Sequence, residues 1–290
     1  MIASAPNLLA LPFEHWQAAS WSLDVAGALY CLLYVWGVRR VRRWSAPRTA
    51  SFFAGVLVVL VALQSGVDAY DDRMLSDHMI QHLLLLLVAP PLLLQGRPIV
   101  LALRALPSPH RQEFARLLVK ARALTNPLAC LALFSAVLLL THLTGFYDAT
   151  LRHPLLHQLE HASFLTVGLL FWTPLLDANP LAARRLGGFG RLVYVLAAMP
   201  AMAAIGAYLN RATSLVYAPY AAPARALGIS ALGDQAQAGA IMWVGGGCIM
   251  VATGLWIAMS AMSAEERRLR TREQLALARE AAAGTRGGAT

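Results

Sequence analysis

Apolar runs of membrane-spanning length recur along the whole chain, separated by short polar or breaker-rich segments. About 20 apolar residues suffice to cross the hydrocarbon. Such runs fall near residues 21–38, 51–68, 76–95, 127–146, 156–176, 191–209 and 236–262. Pro47, Gly96-Arg97-Pro98, Asn126-Pro127 and Asn179-Pro180 break the chain between them. The pattern predicts an all-α, polytopic membrane bundle of seven transmembrane helices. It divides the chain into an outer segment 1–20, a membrane domain 21–262 and a cytoplasmic polar tail 263–290, helical or disordered. Residues 108–123 have the pattern of an amphipathic helix lying on the inner leaflet. The loop 210–235 is long enough to cover part of the outer surface. Ala89-Pro90-Pro91 predicts a kink in the third helix, its freed carbonyls satisfied by neighbouring helices. Gly239 and Gly245-Gly246-Gly247 predict close packing of the seventh.

Composition strengthens this picture. Of 290 residues, 58% are hydrophobic and 13% charged, against roughly 25% charged in a soluble domain. The net charge of +9 does not point to nucleic acid, because the arginines sit in short loops between apolar runs. Those loops hold Arg39, Arg40, Arg42, Arg43 and Arg48, then Arg97 to Arg122, then Arg184, Arg185 and Arg191, then the tail from Glu265-Glu266-Arg267-Arg268. Of the 24 basic residues, only Arg73, Arg152, Arg211 and Arg225 fall on the other side. The bias predicts an N-terminus outside and a C-terminus in the cytoplasm, with the lipid bilayer as the chain's first partner. The N-terminus lacks the basic start and cleavage pattern of a signal peptide, so the first helix is expected to stay. Cys31, Cys130 and Cys248 form no CxxC pair and read as buried, inert thiols. Trp16, Trp21, Tyr70, Tyr147, Tyr208, Tyr217 and Tyr220 read as an outer aromatic belt.

The candidate chemistry lies in the histidines. The third helix opens with Asp77-His78-Met79-Ile80-Gln81-His82 and the fifth with His157-Gln158-Leu159-Glu160-His161. Each pair is spaced to share one helix face, about 6 Å apart along the axis. His142 stands about one turn before the end of the fourth helix. Counted along three antiparallel neighbours, His82, His142 and His161 differ in depth by only about 3 Å. Polar groups within a span are costly and tend to face the bundle interior and serve function. His78, His82, His142, His157 and His161 therefore read as a metal site toward the outer side. His15 and His110 lie outside it.

Imidazole suits copper, zinc and iron, and a nearby thioether favours Cu(I). Met79 and Met242 are possible auxiliary ligands, and Asp77 and Glu160 possible acceptors that orient imidazoles. Asp68, Asp71, Asp72, Asp148 and Asp234 give the outer surface more carboxylates than basic residues, which draws in cations. A solvated loop accounts for them almost as well. Facing histidines can also ligate haem in an electron carrier, although adjacent imidazoles crowd a porphyrin. His157 to Glu160-His161 fits the H-x-x-E-H pattern of a metallohydrolase, but the first pair has no glutamate and no catalytic residue is assigned. A copper transporter would need ligands deeper in the membrane, where only Thr166, Thr173, Met199, Met202 and Cys248 are available.

Three segments carry a family resemblance: HMIQHLLLLLVAPPLLLQGRP, THLTGFYDATLRHPLLHQLEHASFLTVGLLFWTPLL and DQAQAGAIMWVGGG. They resemble the CtaG family of polytopic bacterial cytochrome c oxidase assembly factors, linked to caa-type oxidases, over roughly residues 20–260. The resemblance implies a role in maturing the oxidase, supplying or inserting copper at the CuB centre. It implies subunit I, or another assembly factor, as partner. The family's histidine pairs correspond to His78, His82, His157 and His161, with His142 from HLTGFYD and Asp234 from DQ. Where many relatives read HLP, this chain has His142-Leu143-Thr144.

Overall fold

The computed structural model describes residues 7–16, 21–176 and 186–287. Asn179-Pro180, Arg184 and Arg185 lie outside the described residues, as do parts of the outer segment (1–6 and 17–20) and of the tail (288–290). All regular structure among the described residues is helical. The helices used below are α1 Trp21–Arg40, α2 Ala46–Gln64, α3 Leu75–Leu83, α4 Ala89–Gln95, α5 Ser108–Ala121, α6 Pro127–Leu143, α7 Pro154–Trp172, α8 Gly188–Arg211, α9 Ala231–Ala240 and α10 Gly246–Gly287.

Among the described residues, four stretches are long and apolar enough to cross a membrane: Ala46–Ala69, Leu75–Ala105, Gly188–Arg211 and Ala231–Ser260. A fifth arises if Ser108–Thr125 and Pro127–Leu143, bent by 65° at their junction, form one broken span. These apolar helices are consistent with a multi-pass membrane protein. The remaining long helices are less apolar or shorter. Helix α7 carries His157, Gln158, Glu160 and His161 in its first two turns, and α6 is only 17 residues long. Helix α5 has no buried residue and exposes Leu117 and Val119.

Local chemistry sets the boundaries. Asn126 caps α6 by accepting from the Leu128 and Ala129 amides at 3.0 and 3.4 Å, and Pro127 needs no donor in the first turn. Pro90 and Pro91 lack amide hydrogens, so they cannot donate to carbonyls one turn back. A π-helical turn, Leu84–Val88, precedes them. The Leu86 carbonyl freed in this way accepts from Trp172 Nε1 at 3.2 Å. The freed carbonyl is thus satisfied by a neighbouring helix, in keeping with the sequence pattern. Gly168 lets α7 approach here, since a Cβ on it would stand 2.7 Å from both Leu86 O and Pro90 Cγ. Replacing Trp172 with Phe is expected to leave Leu86 O without a donor and cost about 1–3 kcal/mol. Thermal melting of the detergent-solubilised chain reads the loss, and unchanged melting would show that another donor reaches this carbonyl.

The main core joins α3, α6, α7, α8 and α9, with Phe134, Phe164, Phe171, Ile205 and Met242 fully buried. A smaller core joins α1, α2 and α4, where Tyr34 and Phe52 stack at 3.7 Å. Helices α8 and α9 meet through Gly206 and Gly239, whose backbones nearly touch. The glycine run of the seventh segment is less uniform: a Cβ on Gly247 would meet nothing within 4 Å.

Candidate functional site

Three helix ends converge on one side of the main core: the start of α3, the end of α6 and the start of α7. They bring the five histidine rings together. Ring centroids are 4.3 Å apart for His78 and His82, 4.2 Å for His157 and His161, and 5.2 Å for His78 and His157. His82 lies 5.4 Å from His142 and 6.0 Å from His161. Phe164 stacks on His82 at 4.0 Å and closes the inner wall. His78, His82, His142 and His161 are buried and His157 is half-buried.

Glu160 lies at the centre of this group. Its carboxylate is 3.7 Å from His78 Nε2 and 3.9 Å from His82 Nε2, with all three side chains fully buried. A carboxylate at that distance can bind a shared cation directly, a stronger role than orienting a ring from behind. The position follows from helical spacing, because residues three and four after His157 share its face.

The hydrogen bonds fix which ring nitrogens face inward. Tyr220 donates its one hydroxyl proton to the Asp71 carbonyl at 2.7 Å. It therefore accepts from Tyr147, 3.0 Å away, and from His78 Nδ1 at 3.4 Å. His78 thus carries its proton on Nδ1 and presents the Nε2 lone pair, 2.8 Å from His82 Nε2. His142 Nδ1 donates to the Leu138 carbonyl at 3.0 Å, which leaves its Nε2 lone pair free as well. Burial pushes the Tyr147 and Tyr220 phenols well above their ordinary range, so both remain protonated donors.

His82 Nδ1, His142 Nε2, His157 Nε2, His161 Nε2 and both Glu160 oxygens are buried without a hydrogen-bond partner. An unsatisfied buried polar atom costs about 1–3 kcal/mol, so so many in one place ask for a common partner. A cation would meet much of that demand, although His142 belongs to none of the sets that could hold one. Three ligand sets have their donor atoms within 4.8 Å of one another: His78, His82 and His161; His78, His157 and Glu160; Asp71, His157 and His161.

Other residues singled out by the sequence sit elsewhere. Met79 shares a face of α3 with Leu75 and Leu83 and packs in the main core, as does Met242. Asp234 is not beside the rings. From α9 it accepts hydrogen bonds from the Leu75 and Ser76 amides, at 2.6 and 3.3 Å, and from the Ser76 hydroxyl. It thereby caps the start of α3 and positions His78 through the helix. Asp77 is buried with neither oxygen bonded.

The sequence pattern placed Tyr147, Tyr217 and Tyr220 in a lipid-facing belt, and the structure places them inside. Tyr147 is wholly buried, and Tyr217 donates to the His142 carbonyl at 2.7 Å. Their loops fold back over the histidines, which interfacial composition cannot reveal. Asp71 likewise reads as a solvated loop residue but is 4% exposed, its Oδ2 3.4 Å from His157 Nε2. Burial, reinforced by Asp68, Asp72 and Asp77, pushes its carboxyl well above the usual range.

Residues 32–264 match the family described as cytochrome c oxidase caa3 assembly factor (Caa3_CtaG). The chain is 30% identical over 252 residues to uncharacterized protein Mb0105 of Mycobacterium bovis and to uncharacterized protein MT0111 of Mycobacterium tuberculosis. The alignment covers 82% of this chain and 38% of each relative. Uncharacterized protein ML1998 of Mycobacterium leprae is 30% identical over 241 residues, covering 77% of this chain and 36% of the relative. The chain therefore spans well under half the length of these curated relatives. No solved structure matches it.

Proposed function

This chain belongs to the cytochrome c oxidase caa3 assembly factor family, and from that premise we propose that it holds a copper ion for delivery to the CuB centre. The observation that carries the reading is the inward-facing set of imidazole nitrogens around Glu160. Imidazole binds copper, zinc and iron, and among these the role in oxidase maturation selects copper. Copper is the cargo here, and no reaction is assigned to the chain. Glu160 supplies a negative charge against the cation in a region of low dielectric.

The copper site works within a seven-span bundle in the bacterial inner membrane, N-terminus outside and C-terminus cytoplasmic. Helices α1, α6 and α7 supply the spans beyond those that are apolar throughout. Arg73, Arg152 and Arg225 lie in the loops at the histidine end, where few basic residues occur, which supports placing that end on the periplasmic side. The receiving partner is oxidase subunit I, directly or through another assembly factor. A haem carrier fits less well, because the 2.8 Å between His78 Nε2 and His82 Nε2 admits no porphyrin.

The test is copper content of the purified chain beside a Glu160→Gln variant. The parent is expected to retain copper against a competing chelator. Loss of the central charge is expected to weaken retention about 10–100-fold, with the fold intact by circular dichroism. A parent that takes up no copper would sink the reading.

A further inference from the structure

The rim of the histidine cluster contains a ligand set that differs from the buried ones in access. The His157 side chain is 20% exposed and so lies nearest the water, although its Nε2 is buried, whereas those of His78, His82 and Glu160 are fully buried throughout. Asp71 Oδ2 faces His157 Nε2 at 3.4 Å and has no hydrogen-bond partner. The residue is held in place by its backbone, through the Tyr220 hydroxyl on its carbonyl. Its Oδ2 is therefore positioned yet uncommitted.

The ligand sets also overlap. His161 belongs both to the set with Asp71 and His157 and to the set with His78 and His82. His157 and His78 are joined in turn by the set that contains Glu160. An ion can pass between sets without ever losing all its protein ligands. That matters because a bare cation in a low-dielectric interior carries a heavy desolvation cost.

We propose that Asp71, His157 and His161 form a capture subsite, which takes a copper ion from water and passes it inward by ligand exchange about His161. The proposal rests on the copper reading above. The bonds from copper to Asp71 and His157 break as bonds to His78 and His82 form, and His161 stays attached. No electron moves, and the Asp71 carboxylate returns to its uncoordinated state. Carboxylate is a hard ligand and holds Cu(I) less well than imidazole does, so the exchange runs toward the buried set.

Loading kinetics test this directly. Cu(I) is supplied without oxygen as its coloured bicinchoninate complex to the detergent-solubilised chain, and loss of colour gives the rate. Asp71→Asn preserves shape and removes the coordinating charge. Asp72→Asn makes the same charge change at an exposed neighbour, whose side chain is 68% exposed. Asp71→Asn is expected to load about tenfold or more slowly yet reach the same final copper content, while Asp72→Asn loads like the parent. Equal rates in the parent and both variants would overturn the capture subsite. So would a lower final content in Asp71→Asn, which would make Asp71 a resident ligand. If the parent takes up no copper, the copper reading falls and the subsite with it.

Discussion

The largest expected effect on copper is its loss from a chain in which His78 and His82 are both replaced. Either His78→Ala/His82→Ala or His78→Leu/His82→Leu removes two of the three ligands from the buried set that those residues form with His161. His78 also leaves the set containing Glu160, so only the solvent-accessible set with Asp71 survives intact. Changing a residue that merely supports a metal ligand typically costs 10–100-fold in affinity, so removing two direct ligands should weaken retention by more than about 100-fold. Misfolding does not explain such a loss away. The two rings are fully buried, and His82 Nδ1 has no hydrogen-bond partner. His78 and His82 are also each other's hydrogen-bond partners, and replacing both members of such a pair by apolar groups of similar shape, as the leucine pair does, is close to neutral. The leucine pair should therefore melt near the parent's copper-free temperature, and the alanine pair, which leaves a cavity, should melt lower. They should also lack the rise in melting that copper gives the parent, about 2.7 kcal/mol at a 100-fold excess over Kd. Membranes from cells carrying either version should contain less mature oxidase. Equal copper in parent and double variants would remove the histidine cluster from the mechanism.

The convergence of the rings was legible in the sequence because it depends on periodicity. Four-residue spacing puts His78 with His82 and His157 with His161 on common faces, and counting along antiparallel helices brings His142 level with them. The freed carbonyl before the prolines was legible for a similar reason, since Pro90 and Pro91 lack the amides that would bond one turn back. Residues whose roles depend on loop folding were not. Nothing in the pattern around Asp71 shows that the Tyr220 hydroxyl ties its backbone beneath a loop more than 140 residues distant, with a sequence separation of 149. Tyr147 and Tyr217 have the composition of interfacial anchors, and only the folded loops turn them inward. Asp234 is a further case: it matters to the site by capping α3 from another helix, a contact 159 residues apart in sequence. The core position of Met79 was legible in periodicity itself. One residue after His78 means about 100° around the helix, which points it at the core with Leu75 and Leu83.

The same cap makes Gly239 the position where a single added side chain should do most damage to the fold. A Cβ there would lie 2.5 Å from the Gly206 carbonyl oxygen and 2.6 Å from the Asn210 amide nitrogen. In return, one on Gly206 would lie 2.6 Å from the Gly239 carbonyl. These neighbours are backbone atoms of α8 and cannot swing aside as a side-chain end can. Glycine also disfavours helix interiors by about 1 kcal/mol relative to alanine, so its presence on both facing helices fits a contact that requires it. Gly239→Val should force α8 and α9 apart at a cost of roughly 3 kcal/mol, the upper end of ordinary overpacking. The displacement should then reach the site. Asp234 lies on α9 five residues before Gly239, and through it α9 holds the Leu75 and Ser76 amides. Moving α9 loosens the first turn of α3, and with it the placement of His78. Gly239→Val is therefore expected to lower both the melting temperature and copper retention. Gly247→Val, where a Cβ meets no heavy atom within 4 Å, should change neither. Thermal melting and copper retention measured side by side would decide the matter. If Gly239→Val melts like Gly247→Val, the α8–α9 contact does not carry the load. If it melts early yet holds copper as the parent does, Asp234 does not couple that contact to the histidines.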